Sequence, residues 1–301
     1  MIGNDSKRAE SSSDAESTRA ETGDVERSDG GSAGDDAGVD SAVLAEDLSL
    51  SYATDDEPVV ECDRINVPEG EITGLVGPNG SGKSTLLKAL SDHLAPDRGT
   101  VYLHGRAVQS YDQRELAREL GHLSQENESP GSITVEELVY HGRYPHRGFF
   151  EAVDDDDREA VERALELAGV EELREDDVAN LSGGQKQLAW IAMVLAQDTE
   201  VLLLDEPTTF LDLHHQLGVL ETVRRLNREK GVTVAVVLHD ISQAARFADY
   251  LVALDDGEIY DWGPSEEVVS EQLLADVFEV DAAVSYEPDL QILPKRAIRD
   301  T

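Results

Sequence analysis

Nine consecutive residues, Gly77-Pro78-Asn79-Gly80-Ser81-Gly82-Lys83-Ser84-Thr85, set glycines, a lysine and two hydroxyls in the order that binds a polyphosphate. The glycines let the backbone curl round an anion with its N–H groups pointing inward. Lys83 is placed to reach the β- and γ-phosphates of a nucleotide, and Ser84 to ligate Mg²⁺. The apolar run Ile72 to Val76 before the loop reads as a buried strand. Leu86-Leu87-Lys88-Ala89-Leu90 after it reads as a helix, whose positive dipole end adds to the anion site. A chance glycine turn would lack that strand-loop-helix frame.

Further groups have the same flavour. Val201-Leu202-Leu203-Leu204 is a continuous apolar run, as a central parallel strand requires, and it ends in Asp205-Glu206-Pro207. A carboxylate at the carboxyl end of such a strand, here Asp205, can hold Mg²⁺ directly or through water. Ser182-Gly183-Gly184-Gln185 opens a helix running to about Gln197, so a second bare helix N-terminus is available to an anion. His239 follows the apolar strand Val232 to Leu238 and can hydrogen-bond a γ-phosphate. Gln125 ends a short strand, Gly121 to Ser124. Two tempting groups are set aside. Asp154 to Asp157 lack the alternate spacing and glycine of a Ca²⁺ loop and read as a solvated acidic face. His214 and His215 are adjacent on a helix and point apart, which argues against a shared metal.

The elements that must position these residues alternate. Strand patterns cover Val43 to Tyr52 and Val59 to Val67, and a hairpin turns at His104-Gly105. Asp112 caps a helix to Leu120. From residue 126 to 180 there is no strand signal. A helix capped by Thr134, an irregular piece from Gly142 to Phe150 and a helix ending at Gly169 suggest a helical insert in an α/β core. A helix from Leu213 to Glu229, another from Ile241 to Ala248, a hairpin at Asp255-Asp256-Gly257 and a helix near Glu271 to Phe278 complete the order. Residues 1–42 lack aliphatic periodicity and are expected to be disordered. Residues 281–301 read as a weakly patterned tail.

The formal charge of the 301-residue chain is −39. A nucleic-acid backbone needs a basic footprint, so no nucleic-acid partner is expected. Excess carboxylate with few lysines suggests a protein built for concentrated salt, as in a halophile. Cys62 is the only cysteine, which fits a reducing compartment. No signal peptide is evident, and no apolar run approaches the ~18 residues of a membrane span.

Taken in order, the phosphate loop, Leu181 to Gln185, the Val201 to Pro207 strand and His239 resemble the ATP-binding cassette (ABC) ATPases, over roughly residues 43–270. The pentapeptide Leu181 to Gln185 is the most specific of these. Ile133 to Pro145, Leu188 to Gln197 and Leu226 to Asp240 are similar to the ATPases of ferric-siderophore importers, a pattern that cobalamin and haem importers share. The resemblance implies an α/β P-loop NTPase cassette with a parallel-sheet core, an antiparallel β subdomain and a helical insert, spanning 43–280. It implies ATP and Mg²⁺ as ligands. Glu206 corresponds to the catalytic base, Gln125 to the glutamine of the Mg²⁺ and water shell, and Tyr52 to the aromatic that stacks on adenine. Ser182 to Gln185 then close over ATP held by a second copy of the chain, with Asp212 in the loop crossing that interface. A membrane permease would dock on the insert around Tyr140, Arg143, Tyr144, Pro145 and Phe149, with a substrate-binding protein acting indirectly. The chain would sit peripherally on the cytoplasmic face of the cell membrane. DNA-repair and ribosomal cassette ATPases fit less well, because the insert is short and one cassette is present. A guanine-nucleotide switch would need Asn-Lys-x-Asp, which is absent.

The charge yields a first test. Lowering ionic strength from about 1 M, where the Debye length is about 3 Å, to about 0.01 M lengthens it to about 30 Å and unscreens the carboxylates. Circular dichroism should then show cooperative loss of structure; full stability at low salt would contradict a halophilic design.

Overall fold

Two hydrophobic patterns sort the strands into two layers. Runs that are apolar at every position form the interior of a six-stranded sheet, and alternating runs form a four-stranded sheet with one wet face. The computed structural model describes residues 40–52, 57–125, 131–148, 151–287 and 290–298. The segment expected to be disordered falls outside these up to residue 39, as does Phe149. Its last residues, 41 and 42, belong to the first strand.

The antiparallel sheet contains β1 (Ser41–Leu50), β2 (Val60–Pro68), β4 (Arg98–Leu103) and β5 (Arg106–Ala107), in the order β2-β1-β4-β5. The larger sheet contains β3 (Ile72–Val76), β6 (Leu120–Leu123), β7 (Val201–Asp205), β8 (Thr233–Val237), β9 (Tyr250–Asp255) and β10 (Glu258–Pro264). Its order is β10-β9-β3-β8-β7-β6, parallel throughout except for β10. Every residue of β3, β7 and β8 is buried, because both faces are covered. Alternation along β7 divides its side chains. Leu203 faces a core shared with the antiparallel sheet and α1 (Lys83–Leu90), while Leu202 and Leu204 face a second core. The second core is built with α5 (Gly183–Ala196), α6 (Leu213–Lys230) and α7 (Ile241–Phe247). Short helices α2 (Gln113–Glu119), α8 (Ser265–Val268) and α9 (Glu271–Asp276) complete the body.

Between β6 and α5 the described chain forms α3 (Val135–His141), α4 (Asp155–Ala168) and single 3₁₀ turns, with no named strand. Local chemistry sets the ends. Thr134 and Glu137 make a reciprocal capping box, and so do Asp154 and Asp157. Gly169, at φ 67°, stops α4 in the left-handed conformation that glycine adopts without penalty.

Two expectations need correction. Asp154, Asp155 and Asp156 are exposed, but Asp157 is only 2% exposed and is no part of a solvated face. Its Oδ1 accepts a 3.0 Å bond from Arg143 Nε, and Arg147 Nε lies 3.6 Å from Oδ2. Arg143 is thereby buried as a structural cation, not displayed to a partner. The second concerns the segment after residue 280. It is a hairpin of β11 (Val280–Ser285) and β12 (Gln291–Ala297). Pro294 interrupts the sequence pattern there, yet an edge strand tolerates a residue with no N–H. Leu290 is buried, and Tyr286 Oη donates to Val269 O at 2.6 Å, fastening the hairpin to the body.

Removing one partner of a buried ion pair leaves an uncompensated charge, which costs about 3–5 kcal/mol. Asp157→Ala should therefore lower the urea midpoint strongly with little change in slope. A midpoint equal to that of the parent would mean that the pair contributes nothing.

Candidate functional site

The turn from β3 into α1 is possible only with glycine. Gly77 sits at φ 148°, and a Cβ there would lie 2.1 Å from Leu254 O. Gly82, at φ 94°, is the residue before α1, and no side chain caps that helix. The first N–H groups of α1 are thus left for a ligand. Lys83 folds back over its own loop. Its Nζ donates to Gly77 O at 2.9 Å and Pro78 O at 2.6 Å, with Ser81 Oγ at 3.4 Å. Burial pushes its ammonium below the usual lysine range, against the pull of the Glu206 and Asp205 carboxylates. Asn79 and Gly80 crown the loop in solvent. A cleft of about 540 Å³ opens beside it, lined by Pro78 to Ser81 and, opposite, by Asp255, Asp256 and Glu279.

Asp205 ends β7 beneath this loop. Ser84 Oγ donates to Asp205 Oδ1 at 2.9 Å, while Asp205 Oδ2 is buried without a hydrogen-bond partner. Burial raises the carboxyl above its usual range, and the Ser84 bond works against that rise. An orphaned buried carboxylate oxygen beside a serine hydroxyl is a hard, all-oxygen donor set that suits a small divalent cation.

Glu206 is 6% exposed and adopts φ 50°, outside the usual range for a side chain of its kind. Its Oε2 collects three donors: Gln125 Nε2 at 2.8 Å, Thr209 Oγ1 at 3.1 Å and His239 Nε2 at 2.6 Å. The three residues expected to act on a water and a γ-phosphate therefore meet at one oxygen. Thr209 was not singled out in the sequence; its place three residues after Glu206, in the loop leaving β7, was the available signal.

Tyr52 lies partly exposed, with its Oη 3.2 Å from Thr85 Oγ1 and Lys88 Nζ 6.0 Å from the ring centre. Ser182 caps α5. Its hydroxyl accepts from Gln185 N at 3.3 Å, and Gln185 Oε1 accepts from Ser182 N at 3.0 Å. A Cβ on Gly184 would press on Leu211 Cδ2 at 3.3 Å, and one on Gly183 would meet Phe210 at 3.8 Å. Residues 182–185 are thus packed on the loop leading to Asp212 and do not line the cleft at Gly80. Asp212 caps α6, accepting from His215 N at 3.0 Å and from His215 Nδ1 at 2.9 Å, and these bonds hold its carboxyl below the usual range. Beside it Phe210 is 79% exposed. His214 and His215 do not point apart as expected: their rings meet edge to face with centres 5.4 Å apart, and His215 Nδ1 is engaged by Asp212. His104, Glu119 and Glu200 cluster at the other end of β7, away from Asp205.

On the insert, Tyr144 is 58% exposed, whereas Tyr140 packs partly against the core. Pro145 O accepts from Arg114 Nε at 2.8 Å and from Arg118 Nε at 2.6 Å.

The ABC transporter family model matches residues 62–209. The chain is 46% identical to the ferric enterobactin transport ATP-binding protein FepC of Escherichia coli (strain K12), over 81% of this chain and 89% of that one. It is 44% identical to the iron(3+)-hydroxamate import ATP-binding protein FhuC of Bacillus subtilis (strain 168), over 82% and 91%. Among solved structures, a dimeric bacterial ABC transporter cassette superposes with a TM-score of 0.67 at 30% identity, over 74% of this chain and 98% of that one.

Removing the Lys83 ammonium should weaken ATP binding by about 100-fold, the equivalent of about 2.7 kcal/mol of charge-assisted contact. Titration of Lys83→Ala with a fluorescent ATP analogue reads this directly; parent affinity would remove Lys83 from the site.

Proposed function

Because the chain belongs to the ABC transporter family of ATP-binding subunits, we propose that it hydrolyses ATP to drive uptake of ferric siderophores through a membrane permease. The observation that carries the chemistry is the meeting of Gln125, Thr209 and His239 on Glu206 Oε2, next to Lys83, Ser84 and Asp205. Phosphoryl transfer needs positioning and charge neutralisation more than covalent help. The N–H groups of Gly77 to Thr85 and the α1 N-terminus cradle the phosphates. Lys83 exchanges its loop carbonyls for phosphate oxygens. Tyr52 offers a ring face to adenine.

Ser84, Asp205 and Gln125 are the residues that would hold Mg²⁺, which neutralises β- and γ-phosphate oxygens when bound. Glu206 takes the proton of the attacking water, and His239 donates to the γ-phosphate. Both groups must first exchange their mutual contact for substrate. The bent backbone at Glu206 aims its carboxylate inward at the strand end.

Ser182 to Gln185 do not line the cleft at the chain's own phosphate loop, which supports their closing over ATP on a second copy in a two-fold dimer. Exposed Phe210 and the cap residue Asp212 are then interface residues. The dimeric state of the superposed cassette agrees with that arrangement. Among the described residues no helix is long and apolar enough to cross a membrane. The chain therefore reaches the cytoplasmic face of the membrane through its permease, with Tyr144 at the contact, and meets a substrate-binding protein only indirectly. Both relatives carry iron(III) complexes in their names, which favours a siderophore cargo over cobalamin or haem.

General-base catalysis contributes about 10²–10⁴-fold. Glu206→Gln should lose about that much hydrolysis while still binding ATP and accumulating as a dimer on size-exclusion chromatography. Hydrolysis at the parent rate would remove Glu206 from the role of base.

A further inference from the structure

The last turn of a helix leaves carbonyl oxygens without partners, and these must be met from elsewhere. In α5, Val194 O and Leu195 O are met by the N–H groups of Gln197 and Asp198, while the carbonyls of Ala196 and of the cap residue Gln197 are met by one short loop, residues 142–146. Arg143 Nη1 donates to Ala196 O at 2.8 Å, and His146 Nε2 donates to Gln197 O at 2.7 Å. Gly142 lies against the same turn: its backbone is ordinary at φ −58°, but a Cβ would fall 2.1 Å from Met193 O. The Arg143 cation at a helix C-terminus is also favoured by the helix dipole. Its other face is locked to Asp157 of α4.

We infer that Arg143 and His146 are positioning residues for transport coupling: they bolt the loop that meets the permease to the far end of the helix whose first turn closes on nucleotide. This rests on the reading proposed above. The geometry is that of a strut. Helix α5 has 14 residues, so it is about 21 Å long. Ser182 to Gln185 stand at one end, and the loop carrying exposed Tyr144 stands at the other. On its outer side the loop is held by Arg114 and Arg118 of α2, whose exposed side chains donate to the Pro145 carbonyl and, at 3.5 Å from Arg114 Nη2, to the Tyr144 carbonyl. The α5 side is held through buried Arg143, whose guanidinium is also paired with Asp157 of α4, and is the stiffer attachment. Any shift of α5 relative to α2 must therefore emerge at Tyr144 and Pro145.

The test uses His146→Ala, Gly142→Ala and the conservative His146→Gln, which restores an N–H donor at about the same reach. Hydrogen exchange is followed with and without ATP, in the Glu206→Gln background so that nucleotide is not consumed. ATP should slow exchange at residues 142–148 in the parent and in His146→Gln. His146→Ala and Gly142→Ala should abolish that response while keeping the response at residues 182–190. An undiminished response at 142–148 in both alanine variants would overturn the inference. The second readout places each variant in vesicles with the permease that copurifies with the chain, and measures radiolabelled ferric enterobactin taken up per ATP. Uptake per ATP should fall by about tenfold or more in the alanine variants, within the usual range of coupling energies, while ATP turnover of the isolated chain stays within about twofold. A parallel loss of turnover and uptake, with their ratio unchanged, would mark the residues as merely structural and refute the role. Failure of the parent to transport would count against the proposed function, and the exchange experiment would still decide the bolts.

Discussion

A buried carboxylate at the end of a β-strand is costly unless donors surround it, and much of this fold is arranged to surround Glu206. Its Oε2 accepts from Gln125 at the end of β6, from Thr209 in the loop after β7 and from His239 after β8. Neighbouring strands of a parallel sheet end on the same side, so three segments distant in the chain deliver polar tips to one point. The apolar runs of β7 and β8 are therefore more than filler. Their burial on both faces fixes the height and register at which Asp205, Glu206 and His239 emerge.

The distribution of buried charge fits this picture. Among the described residues the buried cations are Lys83 and Arg143, and the buried carboxylates are Asp157, Asp205 and Glu206. Arg143 is committed to Asp157, a closed pair that organises the insert. Lys83 bonds carbonyl oxygens instead, and Asp205 keeps one oxygen unpartnered. The same ingredients, paired with each other in one place and not in the other, separate the structural pair of the insert from the residues that the proposed function assigns to nucleotide and Mg²⁺.

What could be read from the sequence was local. The phosphate loop, the caps at Asp112 and Thr134, the helix opened at Ser182 and the stop at Gly169 each depend on a few adjacent residues, and all are present as expected. What escaped was set by distant partners. Asp157 looks like its exposed neighbours until Arg143, fourteen residues earlier, is seen to turn inward. Thr209 gains its role only when Glu206 curls toward it through a positive φ. The β11–β12 hairpin was hidden because Pro294 breaks the alternation that normally announces a strand, and because its anchor is a tyrosine hydroxyl on a loop carbonyl seventeen residues away.

The posture of Lys83 has a consequence for how nucleotide arrives. The ammonium donates to two carbonyl oxygens at the start of its own loop and so ties that loop to the first turn of α1. On the function proposed above, a triphosphate would take the place of these carbonyls on Lys83, one contact for another, at groups already aligned. Such a pocket is preorganised, so little ordering entropy opposes capture, and vacating it leaves the scaffold ready for the next molecule.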